Sequence, residues 1–366
     1  MCYLMKTRTE NGFSEIQKRE NFMEKHDKYM AVEAEHAGNE HFFSADDPRF
    51  RLEGFAFRKP GEPFYRLNIS ENLPPGVQAY ARQSASGVLC FTTDSKFIKI
   101  RARVRVINNS ADIMTYGRIG FDLYRDGKYC GISRLNFDEI GYPEHTYTAT
   151  LFSDGDGTTH TFRLYFPLYA EVMEFGIALS ENAHCEPAPA GADQRPIVLY
   201  GTSIEHGCCA SRPGLAMANQ LSRKLGMPLL NFGFSGSGHG EAVVAQELAG
   251  IPDPRIYILA YDANVSPEEL EKTLPEFCRI LHEAHPETPI LTVSHLRVPN
   301  ENPASEWRTR RTAAHLRTGH AFLDGLSVLG DDFCECYTDL VHPNDLGMTL
   351  YADALAEKVR SLLAGK

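Results

Sequence analysis

Ser203 stands just beyond an apolar run, Ile197-Val198-Leu199-Tyr200, from which Gly201 and Thr202 separate it. A hydroxyl at the carboxyl tip of a buried strand sits where open parallel sheets keep their reactive groups. A serine there also serves simply to cap the next helix, so its neighbours decide. To attack a carbonyl, the hydroxyl needs a base within reach, a group that orients the base, and donors for the oxygen that becomes charged. The segment YTDLVHPNDLG, residues 337–347, offers the first two. Asp339 lies three residues before His342, so one loop can let the carboxylate accept from one ring nitrogen while the other faces Ser203. A lone Asp-x-x-His is otherwise a capped turn, and it gains weight only if its loop follows the last strand of the same sheet.

Donors for the oxyanion are expected at neighbouring strand ends. NFGFSGSGHG, residues 231–240, is glycine-rich, so its backbone can approach a ligand closely. Its glycine spacing does not fit a dinucleotide fingerprint, and no acidic residue follows to hold a ribose. AYDANVS, residues 260–266, offers the side-chain amide of Asn264, which as a turn residue would instead bond its own backbone. Ser235 is a rival nucleophile, although its surroundings lack the G-x-S-x-G elbow. The segments EHGCCASRPG, GSGHGE and SPEELEK are polar. They predict a rim in which His206, Arg212 and His239 face hydroxyl-rich alcohols, against the plainer reading of solvated loop residues.

The elements that must hold these groups follow from periodicity. After residue 196, apolar runs at 197–200, 228–234, 255–261, 289–296 and 320–325 alternate with helical segments. One helix ends at Gly226, another opens with the capping box of Ser266 and Glu269 and meets Pro275, and a long one covers about 346–363. This alternation predicts an α/β fold, a doubly wound parallel sheet with helices on both faces. Before the seam the period is two. Ile98, Ile100, Ala102, Val104 and Val106 alternate with Lys99, Arg101, Arg103 and Arg105, a half-buried strand whose basic row is its solvated face. Asp126-Gly127 marks a hairpin, and 162–169 and 173–179 read as further strands of a jelly-roll-like β-sandwich, with Pro167 at an edge or bulge. The expected division is an extension over 1–46, the sandwich over 47–183, a linker over 184–196 and an α/β domain over 197–366.

A chain of 366 residues with 43% hydrophobic content can fill two cores. Its 37 basic and 48 acidic residues, net −11, argue against nucleic acid or an anionic membrane as partner. No stretch has the apolar length of a membrane span, and the first residues lack a secretory pattern. Nine cysteines without framework spacing then predict reduced thiols and a cytoplasmic location. Cys208-Cys209 and Cys334-x-Cys336 are too tightly spaced for the usual zinc pattern, so no metal is expected.

Taken together, the blocks GTSI, FSGSG, DAN and DLVHPND resemble those of the SGNH (GDSL-like) hydrolases. Thr202 in place of the usual aspartate, and Gly207 followed by Cys209-Ala-Ser-Arg-Pro-Gly214 with Cys208 inserted, are similar to one subgroup. That subgroup carries an amino-terminal β-domain with a Gly-x-Asp-Leu-Tyr motif, matched here by Gly120, Asp122, Leu123 and Tyr124. Two departures stand out: Tyr261-Asp262-Ala263 replaces a usual cysteine and proline, and Leu340 replaces a glycine. The resemblance implies a flavodoxin-like catalytic domain in which Ser203 is the nucleophile, His342 the base and Asp339 its orienting acid. The amides of Ser203 and Gly236 and the side chain of Asn264 would form the oxyanion hole, with Arg212 and Tyr124 touching substrate. It implies ester hydrolysis without a cofactor, with a small-molecule or oligosaccharide ester as substrate and room for homo-oligomers. Acetyl esters of a carbohydrate fit best. A general short-chain carboxylester or lipid hydrolase, or a thioesterase, is the alternative, and a non-catalytic glycan-binding protein a further one.

Overall fold

The computed structural model describes residues 40–107, 110–135, 143–153 and 155–365, so the expected amino-terminal extension lies almost wholly outside the described residues. The first nine strands are β1 (Arg51–Glu53), β2 (Val88–Thr93), β3 (Ile98–Val106), β4 (Asp122–Arg125), β5 (Lys128–Ile132), β6 (Glu144–Phe152), β7 (His160–Tyr165), β8 (Ala170–Leu179) and β9 (Cys185–Pro187). They form two antiparallel sheets, β1-β2-β7-β4-β5 with β9 on β2, and β6-β3-β8. The period-two residues of β3 point where the pattern says: Ile98, Ile100, Ala102, Val104 and Val106 are buried. On the other face Arg103 pairs with Glu144 and Glu174, and Arg105 with Glu144 and Glu171. Between the sheets Phe91, Phe121, Phe162 and Phe166 join the aliphatic residues of β3 in one core. Each such side chain contributes about 1.5–3 kcal/mol when fully buried.

The second half holds β10 (Ile197–Gly201), β11 (Leu229–Gly233), β12 (Ile256–Ala260), β13 (Ile290–Val293) and β14 (Ala321–Leu323). All pair in parallel in the order β11-β10-β12-β13-β14. This is the 2-1-3-4-5 doubly wound order, whose switch point falls beside the first strand. Ser266 and Glu269 form the expected capping box of the helix Pro267–Ala284, which runs unbroken through Pro275. The apolar face of that helix, Leu270, Leu274, Phe277 and Leu281, lies in the core and holds the turn that proline weakens. The final helix is Asp345–Ala364, and among the described residues no helix is long and apolar enough to cross a membrane.

The seam between the halves differs from the expected simple linker. Cys185–Pro187, inside the stretch read as structureless, pairs with β2 as an edge strand where a proline is tolerated. Earlier, residues 66–81 leave the sandwich, in whose core Phe64 still lies, and cover one face of the parallel sheet. Leu67, Leu73, Val77 and Ala81 share a core with Val198, Tyr200, Leu230 and Phe232. Arg66 is fully buried there and donates to the carbonyls of Tyr80, Gln83, Asn231 and Gly233.

A second tie uses the Gly-x-Asp-Leu-Tyr motif. Asp122 is buried on β4, and Arg212 of the parallel-sheet half reaches its carboxylate at 2.6 Å and the Tyr124 hydroxyl at 2.8 Å. The Gly214 amide donates to the same carboxylate. Arg212 and Tyr124, expected to touch substrate, are bound to each other in this latch, where Arg212 supplies the countercharge that an aspartate buried on β4 needs. Removing that countercharge by Arg212→Ala, or the carboxylate by Asp122→Ala, is expected to lower unfolding stability by about 3–5 kcal/mol. The double variant should lose clearly less than the sum, as measured by urea denaturation.

Candidate active site

The sheet register brings the expected residues together. Gly201 is opposite Gly233 on one side and Ala260 on the other, so the segments carrying Ser203, Gly236 and Asn264 leave three adjacent strand ends. Close approach needs glycine at two of these ends. A Cβ on Gly233 would meet the His206 amide nitrogen at 2.3 Å, and one on Gly201 the Glu205 carboxylate at 2.5 Å.

Ser203 opens a one-turn helix, Ser203–His206, capped by Thr202. The Thr202 hydroxyl accepts from the Ile204 amide and donates to Glu205, whose carboxylate also takes the Thr202 amide. Burial pushes the Glu205 carboxyl above its ordinary value despite these bonds and one from Tyr351. Thr202, the departure from Gly-Asp-Ser, is thus a capping residue that holds the turn under Ser203.

Ser203 Oγ lies 2.9 Å from His342 Nε2, and His342 Nδ1 lies 2.7 Å from Asp339 Oδ2. An ionised carboxylate only accepts, so Nδ1 carries the proton and Nε2 receives the serine hydroxyl. The Val341 and His342 amides donate to Asp339 Oδ1. Burial pushes the Asp339 carboxyl up, but the His342 ring and these amides outweigh it and hold it below its ordinary value. The loop closes through Thr338 and Asn344, whose amides bond the carbonyls of His342 and Cys336.

Among the described residues the amides of Ser203 and Gly236 donate to no protein acceptor, and Gly236 stands at φ +58° on the loop apex. Asn264 Nδ2 donates to the Gly238 carbonyl at 3.2 Å and the Phe234 carbonyl at 3.4 Å, which ties it to the same loop. The rival Ser235 has no base: its hydroxyl meets the Tyr169 hydroxyl at 2.7 Å. His206 is no base either. It is fully buried, stacked on Tyr169 at 4.1 Å, and donates from Nε2 to the Leu168 carbonyl. Burial, then Arg66, hold its ring neutral, far below the ordinary histidine range.

The polar rim is therefore narrower than expected. His206 is buried and Arg212 belongs to the latch, which leaves His239 exposed, while Leu340 and Val341 of the His342 loop are exposed too. Sequence reasoning missed four groups that shape the site. Tyr169 and Arg66 reach it from the sandwich half, Glu205 supports the turn that carries Ser203, and Asp112 approaches His342 Nδ1 at 3.9 Å. Only Glu205 had a signal, its place three residues after Thr202. Among the described residues, the donors able to converge on a cation are Asp112, Cys208, Cys209 and His342.

A parallel sheet with a serine, a histidine and a carboxylate in line at its carboxyl edge defines a hydrolase of the SGNH type. The chain matches the GDSL-like lipase/acylhydrolase family over residues 194–360 and the GxDLY family, "N-terminus of Esterase_SGNH_hydro-type", over residues 41–185. It is 30% identical to a protein described as a GDSL-like lipase from Bacteroides ovatus, with a TM-score of 0.79, over 89% of this chain and 98% of that one. The chain belongs to this family of GDSL-like SGNH hydrolases with a GxDLY domain, and it is an enzyme that hydrolyses ester bonds. Two further structures share the fold. The salicylyl-acyltransferase SsfX3 of a tetracycline biosynthetic pathway is 20% identical, with TM-score 0.70, over 89% of this chain and 98% of its own. An acetyl xylan esterase from Butyrivibrio proteoclasticus is 12% identical, with TM-score 0.56, over 88% and 99%. No curated protein sequence is significantly similar to this one.

Behind Asn264 lies a buried ionic cluster. Asp262, fully buried, takes Arg311 on its carboxylate and carbonyl, His315 Nε2 at 3.0 Å, and has His295 Nδ1 at 3.5 Å. Arg311 also donates to the Val265 carbonyl, so the cluster clamps both ends of the turn that carries Asn264. Burial pushes the Asp262 carboxyl up, but bonds from His295 and His315 and the charge of Arg311 hold it far below its ordinary value. A depressed folded pKa stabilises the fold above the unfolded value of about 3.9, and that stability is lost as pH falls through the folded value. Asp262→Asn should therefore cost about 3–5 kcal/mol at pH 7. In chemical denaturation across pH, its gap to the parent should close progressively below about pH 4.

Proposed function

We propose that Ser203 attacks the ester carbonyl while His342 Nε2 takes its proton and Asp339 steadies the resulting imidazolium. The observation that carries this reading is the unbroken hydrogen-bonded line from Ser203 Oγ through His342 to Asp339. The amides of Ser203 and Gly236 and the Asn264 side chain meet the developing oxyanion. Asn264 turns the N–H that makes its longer bond, the one to Phe234. The alcohol leaves with the proton from His342, and water attacks the acyl-enzyme by the reverse path. No step requires a metal or an organic cofactor.

For substrate we favour acetyl esters of a carbohydrate. Supporting this is the shared two-domain fold with an acetyl xylan esterase over 88% of the chain, together with exposed His239 beside the Gly236 loop. A second reading has an observation of its own. Leu340, which is 65% exposed, and Val341, 48% exposed, stand on the loop with His342 and suit a more apolar ester.

Ser203→Ala and His342→Ala should each lower hydrolysis of an aryl acetate by several orders of magnitude with the circular dichroism spectrum unchanged. Retained activity in Ser203→Ala would transfer the role to Ser235. Asn264→Ala should lower kcat about 10²–10³-fold. Across aryl esters, the acetate should be cleaved far faster than the octanoate, and acetylated oligosaccharides should release acetate by mass spectrometry. Each methylene buried in an acyl channel contributes about 0.8 kcal/mol, so a rate rising with chain length would mark such a channel and favour the apolar reading.

A further inference from the structure

Beside the Ser203–His342 pair, four side chains from three parts of the chain converge on one point. Cys208 and Cys209 follow the nucleophile turn, His342 comes from the last loop, and Asp112 comes from the sandwich half. Cys209 stands at φ +68°, a conformation an L residue adopts only where the surroundings impose it. The two adjacent thiols, both buried, lie with their sulfurs 3.5 Å apart. Cys208 Sγ is 3.7 Å from Asp112 Oδ2, and that oxygen is 3.9 Å from His342 Nδ1. The Ser110 hydroxyl occupies the other carboxylate oxygen, Oδ1. All four donor atoms lie within 4.8 Å of one another.

We infer that Asp112, Cys208, Cys209 and His342 form a binding site for a thiophilic divalent cation, of which zinc and cadmium are the type, and that filling it switches the esterase off. Zinc bonds of about 2.3 Å to sulfur and 2.0–2.2 Å to nitrogen and oxygen make a tetrahedron with edges of about 3.3–3.8 Å. The separations of 3.5, 3.7 and 3.9 Å lie close to those edges, and the remaining ones, none above 4.8 Å, contract to them when the side chains close on an ion. Two thiolates, one imidazole and one carboxylate are donors that a closed zinc site uses.

Binding forms two metal–sulfur bonds and releases two thiol protons to solvent. The His342 proton moves from Nδ1 to Nε2, and the metal takes the lone pair this leaves on Nδ1, which breaks the bond to Asp339. The neutral ring then keeps its proton on Nε2, facing Ser203, where it no longer accepts the hydroxyl proton. This silencing rests on His342 as the base, whereas the binding does not.

The test uses the full-length protein purified without metal. One equivalent of Co2+ should give an intense thiolate-to-cobalt charge-transfer band with tetrahedral visible absorption, and Zn2+ should displace it. In parallel, aryl acetate hydrolysis should fall at least tenfold and return with a chelator. Cys208→Ser and Cys209→Ser should keep the metal-free rate, lose the band and raise the half-inhibiting zinc concentration at least tenfold. Asp112→Asn, on the other half of the molecule, should raise it severalfold. The absence of a thiolate band at one equivalent of cobalt would overturn the site, and so would equal zinc inhibition in the parent and both cysteine variants. A protein inactive on every ester but still giving the band would refute the catalytic reading and support the site.

Discussion

Arg66 is a full positive charge with no exposed surface, held by four backbone carbonyls and no carboxylate. A guanidinium can lie so deep because its five donors in a fixed fork match acceptors that would otherwise be unpaired. Two of those acceptors, Asn231 and Gly233, are on the strand that leads into the Gly236 loop, and the other two end the helix Pro75–Ala81. The interaction therefore fixes the carboxyl end of β11 against the sandwich half. The Asn231 side chain extends it, donating to the Glu205 carbonyl and the Ser86 hydroxyl. Oxyanion-hole geometry depends on fractions of an ångström. Here the strand end that leads into the Gly236 loop is held by a residue more than a hundred positions away in sequence.

The latch of Asp122, Arg212 and Tyr124 does similar work at a second point. Arg212 follows the Ser203 turn and ties the end of its loop to β4, while the Gly214 amide anchors the start of the next short helix. Tyr169 adds a third contact, its hydroxyl bridging the Ser203 carbonyl and the Ser235 hydroxyl. The Ser203 turn, the glycine loop and, through Asp112, the His342 loop are thus each touched from the sandwich side. The sandwich is a wall of the site as well as a neighbouring domain.

Much of this was legible in the sequence. Period two in β3 and alternating runs after residue 196 encode burial directly, because a side chain on the wrong face meets water. The hairpin at Asp126-Gly127 and the capping box at Ser266 were local rules obeyed locally. The line from Ser203 to His342 and Asp339 was readable because each member sits at a strand end or in a loop beyond one. Tertiary pairing was not readable. Arg66 and Asp122 look like ordinary surface charges until the partner half is present, and Arg212 looked like a substrate contact for the same reason. The departure at Tyr261-Asp262-Ala263 stood out in the sequence without its role, because Asp262 is the centre of a buried cluster that the distant Arg311 and His315 complete.

The excursion of residues 66–81 onto the parallel sheet has a consequence for how the chain is made. The helix Pro75–Ala81 emerges in synthesis long before β10, β11 and β12, against which Val77 and Ala81 pack. Until those strands are made, its apolar face has no native partner, and Arg66 has no carbonyls from β11. The early half can close its antiparallel sheets during synthesis, but it must hold this segment open to accept the later half. Such long-range contacts slow folding through the entropy of closing a large loop. Slow folding with an exposed apolar helix is the condition under which chaperones matter most, so yield in a foreign host should respond more to temperature and chaperone supply than to changes at the site itself.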